Sequence, residues 1–202
     1  MAEAHLNLND ARAARDLLQK LYARKAEFAK DATWFPQVRV LLAEAQLQLK
    51  EYDAVAATVD EFRRDDPQSK VLHRAEEVLG RAYKNQAKFE EARTHFNRVI
   101  ADENAFRTET AAKCQFMIGE TYLLQKDYRA AQINYFKVEQ LYKFPEWQGY
   151  ALYQVAKCDE ALNQWREAVR AYEDILKKYP ETPAAAKAKV DLQTARKKVA
   201  GA

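Results

Sequence analysis

Glycine and proline are scarce, four and five in 202 residues. A chain with so few turn formers cannot build the many tight reversals of a sheet, and no stretch shows a period-two, β-branched pattern. The abundance of Ala, Leu, Glu, Lys, Arg and Gln suits long helices joined by short turns instead. Histidine is rarer still, and His5, His73 and His95 stand at no metal-ligand spacing to one another or to the cysteines. H-E-x-x-H, C-x-x-C, P-loop and dinucleotide-type glycine patterns are all missing. No catalytic residue, metal or cofactor is therefore expected, and the chain does not read as an enzyme. The acidic pairs Asp65-Asp66, Glu76-Glu77 and Glu90-Glu91 read as solvated helix faces or helix ends.

No sign of charge dominates: 33 basic residues stand against 30 acidic ones, net +3, interspersed along the whole length. That balance argues against nucleic acid or an anionic membrane as partner. No apolar run approaches the roughly 18 to 20 residues of a membrane span. The opening MAEAHLNLNDARAARD lacks the basic-then-apolar order of a signal peptide and starts inside a helical pattern, so the chain reads as a fragment of a longer protein. Only Cys114 and Cys158 could form a disulfide. Against the repeat described next they are about seven residues, or roughly 10 Å, out of step along equivalent helices. A bridge needs Cα atoms within about 7 Å, so both read as free thiols.

What is present is self-similarity. A small residue is followed by an aromatic about nine positions on, Ala three later, and an aromatic four beyond: Gly80, Phe89, Ala92, Phe96; Gly119, Tyr128, Ala131, Tyr135; Ala156, Trp165, Ala168, Tyr172. A weaker copy runs Ala43, Tyr52, Val55, Val59, so the anchors 52, 89, 128 and 165 recur at 37, 39 and 37. Such a period predicts an all-α solenoid in which each helical hairpin buries its apolar face against the next.

Punctuation places about ten helices, near 9–31, 36–49, 52–65, 70–85, 88–102, 106–125, 128–142, 147–162, 165–178 and 183–199. The first carries Leu17, Leu18, Leu21, Lys25 and Phe28 in helical spacing; Pro36 and Thr182-Pro183 mark helix starts. The expected organisation is one solenoid domain over 1–202: a half-repeat helix in 1–35, repeats at 36–67, 73–104, 112–143 and 149–180, and a capping helix in 181–202. Ala188, Leu192, Ala195 and Val199 give that last helix a one-sided apolar stripe. Gly80 and Gly119 lie mid-helix, where Gly is about 1 kcal/mol worse than Ala, so each is expected at a close helix contact, with the aromatics wedged between repeats.

The order Leu79-Gly80-x-x-Tyr83, Phe89, Ala92-x-x-x-Phe96 resembles the tetratricopeptide repeat, as do Ile118-Gly119-x-x-Tyr122 with Ala131-x-x-x-Tyr135. Val155-Ala156, Ala168-x-x-x-Tyr172 and Pro180 form a third match in which Asp159 replaces the Tyr; the first repeat keeps Leu42-Ala43, Tyr52 and Pro67 but has Gln46, Val55 and Val59. The resemblance covers roughly 36–180 and implies a right-handed α-α superhelix serving as a protein-interaction scaffold. The segment Tyr179-Pro180-Glu-Thr182-Pro183-Ala-Ala is similar to the closure of bacterial envelope members, among them the Tol-Pal-associated periplasmic protein and the outer-membrane assembly lipoprotein. It implies periplasm or cell envelope, with cytoplasm as the alternative.

In that family the first helix of each hairpin lines a concave groove. Carried onto this sequence, the lining positions include Arg74, Arg81, Asn85, Lys113, Phe116, Met117, Glu120, Tyr150, Tyr153 and Lys157. The expected partner is a peptide with apolar anchors and acidic character, held on an exposed patch of Phe116, Met117, Tyr150 and Tyr153. Val78 and Met117 do not fit the family's carboxylate clamp. The alternatives are a structural spacer or oligomerisation array of a larger envelope protein, in which these side chains pack against the unpaired first helix or an adjoining repeat of a longer protein, and an RNA-reading helical repeat, which Glu44, Glu77, Glu120 and Glu160 disfavour.

Overall fold

The computed structural model describes residues 10–27 and 32–201. Among them are ten α-helices and one 3-10 turn, with no strand: α1 (Ala11–Ala23), the turn (Lys25–Glu27), α2 (Phe35–Gln48), α3 (Tyr52–Asp65), α4 (Leu72–Asn85), α5 (Phe89–Ala101), α6 (Glu109–Leu124), α7 (Tyr128–Leu141), α8 (Pro145–Ala161), α9 (Trp165–Lys178) and α10 (Pro183–Ala200). From α2 onward the boundaries follow the punctuation, the widest gap being 106 expected against Glu109 observed.

The first helix departs from expectation and ends at Ala23, where the Arg24 N–H turns back to the carbonyls of Leu21 and Tyr22 and the chain tightens into the 3-10 turn. Phe28 and His5 lie outside the described residues.

The helices fall into two compact units divided after Asn104. In the first, α2 packs on α1, α3 and α4, and α4 also on α3 and α5; in the second, α8 packs on α6, α7, α9 and α10, with α6 also on α7 and α9 on α10. Within each unit this is the pattern of stacked hairpins, each helix burying the face its neighbour needs. Helix α10 closes the second unit through Ala188, Leu192 and Ala195, all buried, as its stripe predicts. Pro183 occupies its first turn, but Thr182 does not cap it: the Thr182 hydroxyl donates to the Tyr179 carbonyl at 2.8 Å. Gly149 is the counterpart of this junction, since a Cβ there would lie 2.9 Å from Thr182 Oγ1 and 3.3 Å from Ala184 Cβ.

The repeat skeleton has a direct steric meaning. A Cβ on Gly80 would fall 2.5 Å from Phe96 Cε1, and one on Gly119 would fall 2.6 Å from Tyr135 Cε1. Both rings are completely buried. The ring thus packs onto the bare backbone of the first helix of its own hairpin, and Tyr135 also shares a core with Ala151, Val155 and Cys158 of the next hairpin, as a wedge between repeats would. Where the first helix offers Ala43 the partner is Val59, and where it offers Ala156 the partner is the ring of Tyr172; each pair shares one core.

Each hairpin turn contains one residue with positive φ: Lys50 (61°), Ala87 (58°), Lys126 (62°) and Asn163 (58°). They recur at 37, 39 and 37, the spacing of the aromatic anchors. This left-handed step lets the next N–H reach back into the helix, as in Glu51 N to Gln46 O at 2.9 Å and Asp127 N to Tyr122 O at 3.0 Å, satisfying carbonyls that the helix end exposes.

Neither Cys114 nor Cys158 forms a disulfide, and both are buried. Burial pushes the Cys158 thiol up to about 12.

Candidate functional site

In the second unit the first-helix face is formed by α6 and α8, and there the expected exposed ring patch is corrected. Phe116 and Met117 are only 7 % and 5 % exposed. Phe116 packs between Tyr135 of its own hairpin, 5.1 Å between centroids, and Trp147 of the next, at 5.5 Å. Tyr153 is half-buried beneath α10: its hydroxyl donates to Asp191 at 2.7 Å, its ring lies 5.9 Å from that of Tyr172, and Lys187 Nζ sits 5.9 Å above it. Burial first, then the Asp191 hydrogen bond, holds the Tyr153 hydroxyl well above its ordinary pKa. The two rings are therefore packing groups, covered by adjoining elements of the same chain: Trp147 of the next hairpin and the last helix, not the first helix.

Other predicted positions remain partly open. Tyr150 is half-buried with Lys187 Nζ 5.3 Å from its ring centre, and Lys113, Glu120 and Lys157 are half-buried. Lys157 pairs with Glu160 and lies 3.6 Å from Asp191; burial works against its charge, and these carboxylates outweigh it, raising its pKa.

In the first unit Arg81 spans successive first helices to Glu44 at 3.0 Å, with Glu77 at 3.6 Å. Arg74 donates to Gln37 at 2.8 Å, while Asn85 is exposed at the end of α4. Glu109, which accepts from Trp147 Nε1 at 2.9 Å, and Asp191 play the same part in the second unit. These pairs stand 37 or 38 residues apart, one repeat period, so much of the charge on this face serves to register one hairpin on the next. Sequence reading missed Glu109, Trp147, Lys187 and Asp191, although Lys187 and Asp191 lie one period beyond Tyr150 and Tyr153, and Glu109 and Trp147 one period from each other.

The Glu76-Glu77 pair is not a solvated face: both side chains are buried. Glu76 pairs with Arg63 Nη2 at 2.6 Å and His95 Nδ1 at 2.7 Å. Burial raises the Glu76 pKa, but those two neighbours more than offset it, and the net direction is down. Among the described residues no group of three or more His, Cys, Asp and Glu side chains could hold a metal, and no helix is long and apolar enough to cross a membrane.

Comparison with known proteins agrees with this geometry. Residues 79–103 and 150–182 match the tetratricopeptide repeat family model. No curated protein matches the chain. Among solved structures, BtubC (BKLC) from P. vanneervenii superposes with a TM-score of 0.71 at 14% identity, over 87% of this chain and 76% of that one. A tetratricopeptide repeat protein from Parabacteroides merdae gives 0.66 at 12% identity, over 98% and 72%. The Rap conjugation gene regulator of plasmid pLS20, solved in complex with the Phr* peptide, gives 0.64 at 12% identity, over 97% and 57%. Two segments are thus similar to the tetratricopeptide repeat, and they are set in stacked hairpins whose fold is shared with these structures.

Proposed function

We propose that the chain is a non-catalytic scaffold that holds a segment of a partner protein along the first-helix face of its hairpins. The observation that carries this is the surface left once the apolar positions are filled from within: on α6 and α8, Lys113, Glu120, Tyr150 and Lys157 stay half-accessible around the buried Phe116 and Met117. A peptide-bound protein of the same fold supports it. Recognition then rests on charged contacts around the half-buried ring of Tyr150, not on paired apolar anchors.

A phage-displayed peptide library selected on the chain tests this. Selected peptides should lose about tenfold in affinity, or ~1.4 kcal/mol, on the double variant Tyr150→Ala/Lys113→Glu. Unchanged affinity would refute the face, and failure to select any binder would favour the structural-spacer reading, which draws on the same burial of Phe116 and Tyr153. For compartment, the Tyr179-Pro180 closure supports the bacterial envelope over the cytoplasm; fractionation of the source cells with an antibody to the chain decides between them.

A further inference from the structure

A cleft of about 320 Å³ opens in the second unit between α7 and α9, with α8 as its floor. It has a local cause. At this point in the second repeat Tyr83 stacks on His95, ring centres 5.2 Å apart, and in the first repeat Thr58 donates to Gln46 at 2.9 Å. The corresponding positions in the fourth repeat are Asp159 and Ala171, both of which line the cleft. A carboxylate and a methyl cannot fill the space of two larger groups, and the gap that remains is the size of a small ligand site.

Asp159 is 5 % exposed. Its Oδ1 accepts from Gln132 Nε2 at 2.5 Å, and among the described residues its Oδ2 accepts nothing. The rim adds Glu167 and Asp174 from α9; Arg170, the one cation lining the cleft, is already paired with Glu167 at 3.0 Å, and Asp174 lies 3.5 Å from Lys178 outside it; α7 contributes Gln132 and Phe136, and α8 the apolar Leu152 and Val155. Phe136 is 40 % exposed, which leaves a ring at the edge. A buried carboxylate with a spare acceptor, an acidic rim and an aromatic edge complement a planar cation whose donors fork toward oxygen and whose face stacks on a ring.

We infer that this cleft receives an arginine side chain of a partner protein, its guanidinium on Asp159 and its stem along Phe136. The site is independent of the first-helix face. Burial pushes the Asp159 carboxyl up to about 6, Gln132 opposing and Glu167 adding to the rise, with Arg170 and Asp174 the other charged groups facing the cleft. Arginine affinity should therefore fall as pH drops through that value.

The test is an NMR titration of the isotopically labelled chain with N-acetyl-arginine amide, with the lysine and the neutral citrulline amides in parallel. Arginine should shift the backbone amides of Asp159, Gln164 and Ala171, citrulline should not, and lysine should bind more weakly. Asp159→Asn keeps an acceptor for Gln132 and should weaken arginine binding about tenfold. Arg170→Gln removes the competing cation and should strengthen it. Asp159→Tyr, which restores the ring of the second and third repeats, should abolish it. Equal shifts from citrulline, equal affinity in Asp159→Asn, or tighter lysine binding would each overturn the proposal.

Discussion

Replacing Gly119 by Ala probes the contact on which the hairpins are built. The added Cβ would sit 2.6 Å from Tyr135 Cε1 and 2.7 Å from Cδ1, where ordinary contact begins near 3.4 Å, so the ring must retreat by most of an ångström. It has nowhere to go: Tyr135 is completely buried and Phe116 lies 5.1 Å away on its flank. Overpacking of this kind costs about 1–3 kcal/mol. Ala is better than Gly inside a helix by about 1 kcal/mol, leaving a net loss of about 1 kcal/mol. The same substitution made in a Tyr135→Val background reproduces the Ala43–Val59 pair of the first repeat, where the two fit. There the helical gain should prevail, and Gly119→Ala should stabilise by about 1 kcal/mol, a coupling of about 2 kcal/mol. Urea unfolding followed by helical circular dichroism measures all four corners of the cycle. An effect of the same sign and size in both backgrounds would show that the ring is not what excludes a side chain at this position.

Ala87→Gly should stabilise by about 1 kcal/mol, because Ala87 holds φ at 58° without the freedom glycine has there; a neutral or destabilising outcome in the same unfolding assay would count against the left-handed turn. For Asp159 the folded-state carboxyl sits at about 6 against an ordinary 3.8, so the folded chain binds its proton more tightly than the unfolded chain. Its contribution to stability must then decline as pH rises from about 4 to about 6, and Asp159→Asn should remove that decline and be the more stable protein above it, by at most about 3 kcal/mol. Parallel pH-stability curves for the two proteins would refute this.

The helices were legible because their signal is redundant: the skeleton of small residue, aromatic, Ala and aromatic returns in register, and each copy supports the others. Ala188, Leu192 and Ala195 were readable in the same way, as a stripe within one helix. The turns were not. Lys50, Ala87, Lys126 and Asn163 adopt the left-handed conformation at a strict period, but no glycine marks it, since the back-reaching hydrogen bonds and the neighbouring packing impose it. Burial of Glu76 was hidden because its partners lie in two other helices, Arg63 and His95, 13 and 19 residues away. Phe116 shows the limit most directly. The repeat register assigned it to the first-helix face, yet whether that face is open there depends on Trp147, which one hairpin's sequence does not reveal.

Repetition also makes departures informative. Wherever the scaffold only has to pack, a residue that weakens packing should be replaceable by the one its sister repeats use. Asp159 goes against this expectation twice, leaving the cleft unfilled and keeping a carboxylate out of water where its charge is disfavoured. Sites where a chain carries such a penalty tend to be sites of use. If Asp159 were merely a packing accident, Asp159→Tyr would raise stability and change nothing else. If the cleft serves recognition, the same substitution raises the melting temperature while arginine binding disappears, and that opposite movement of the two readouts is the mark of a functional residue.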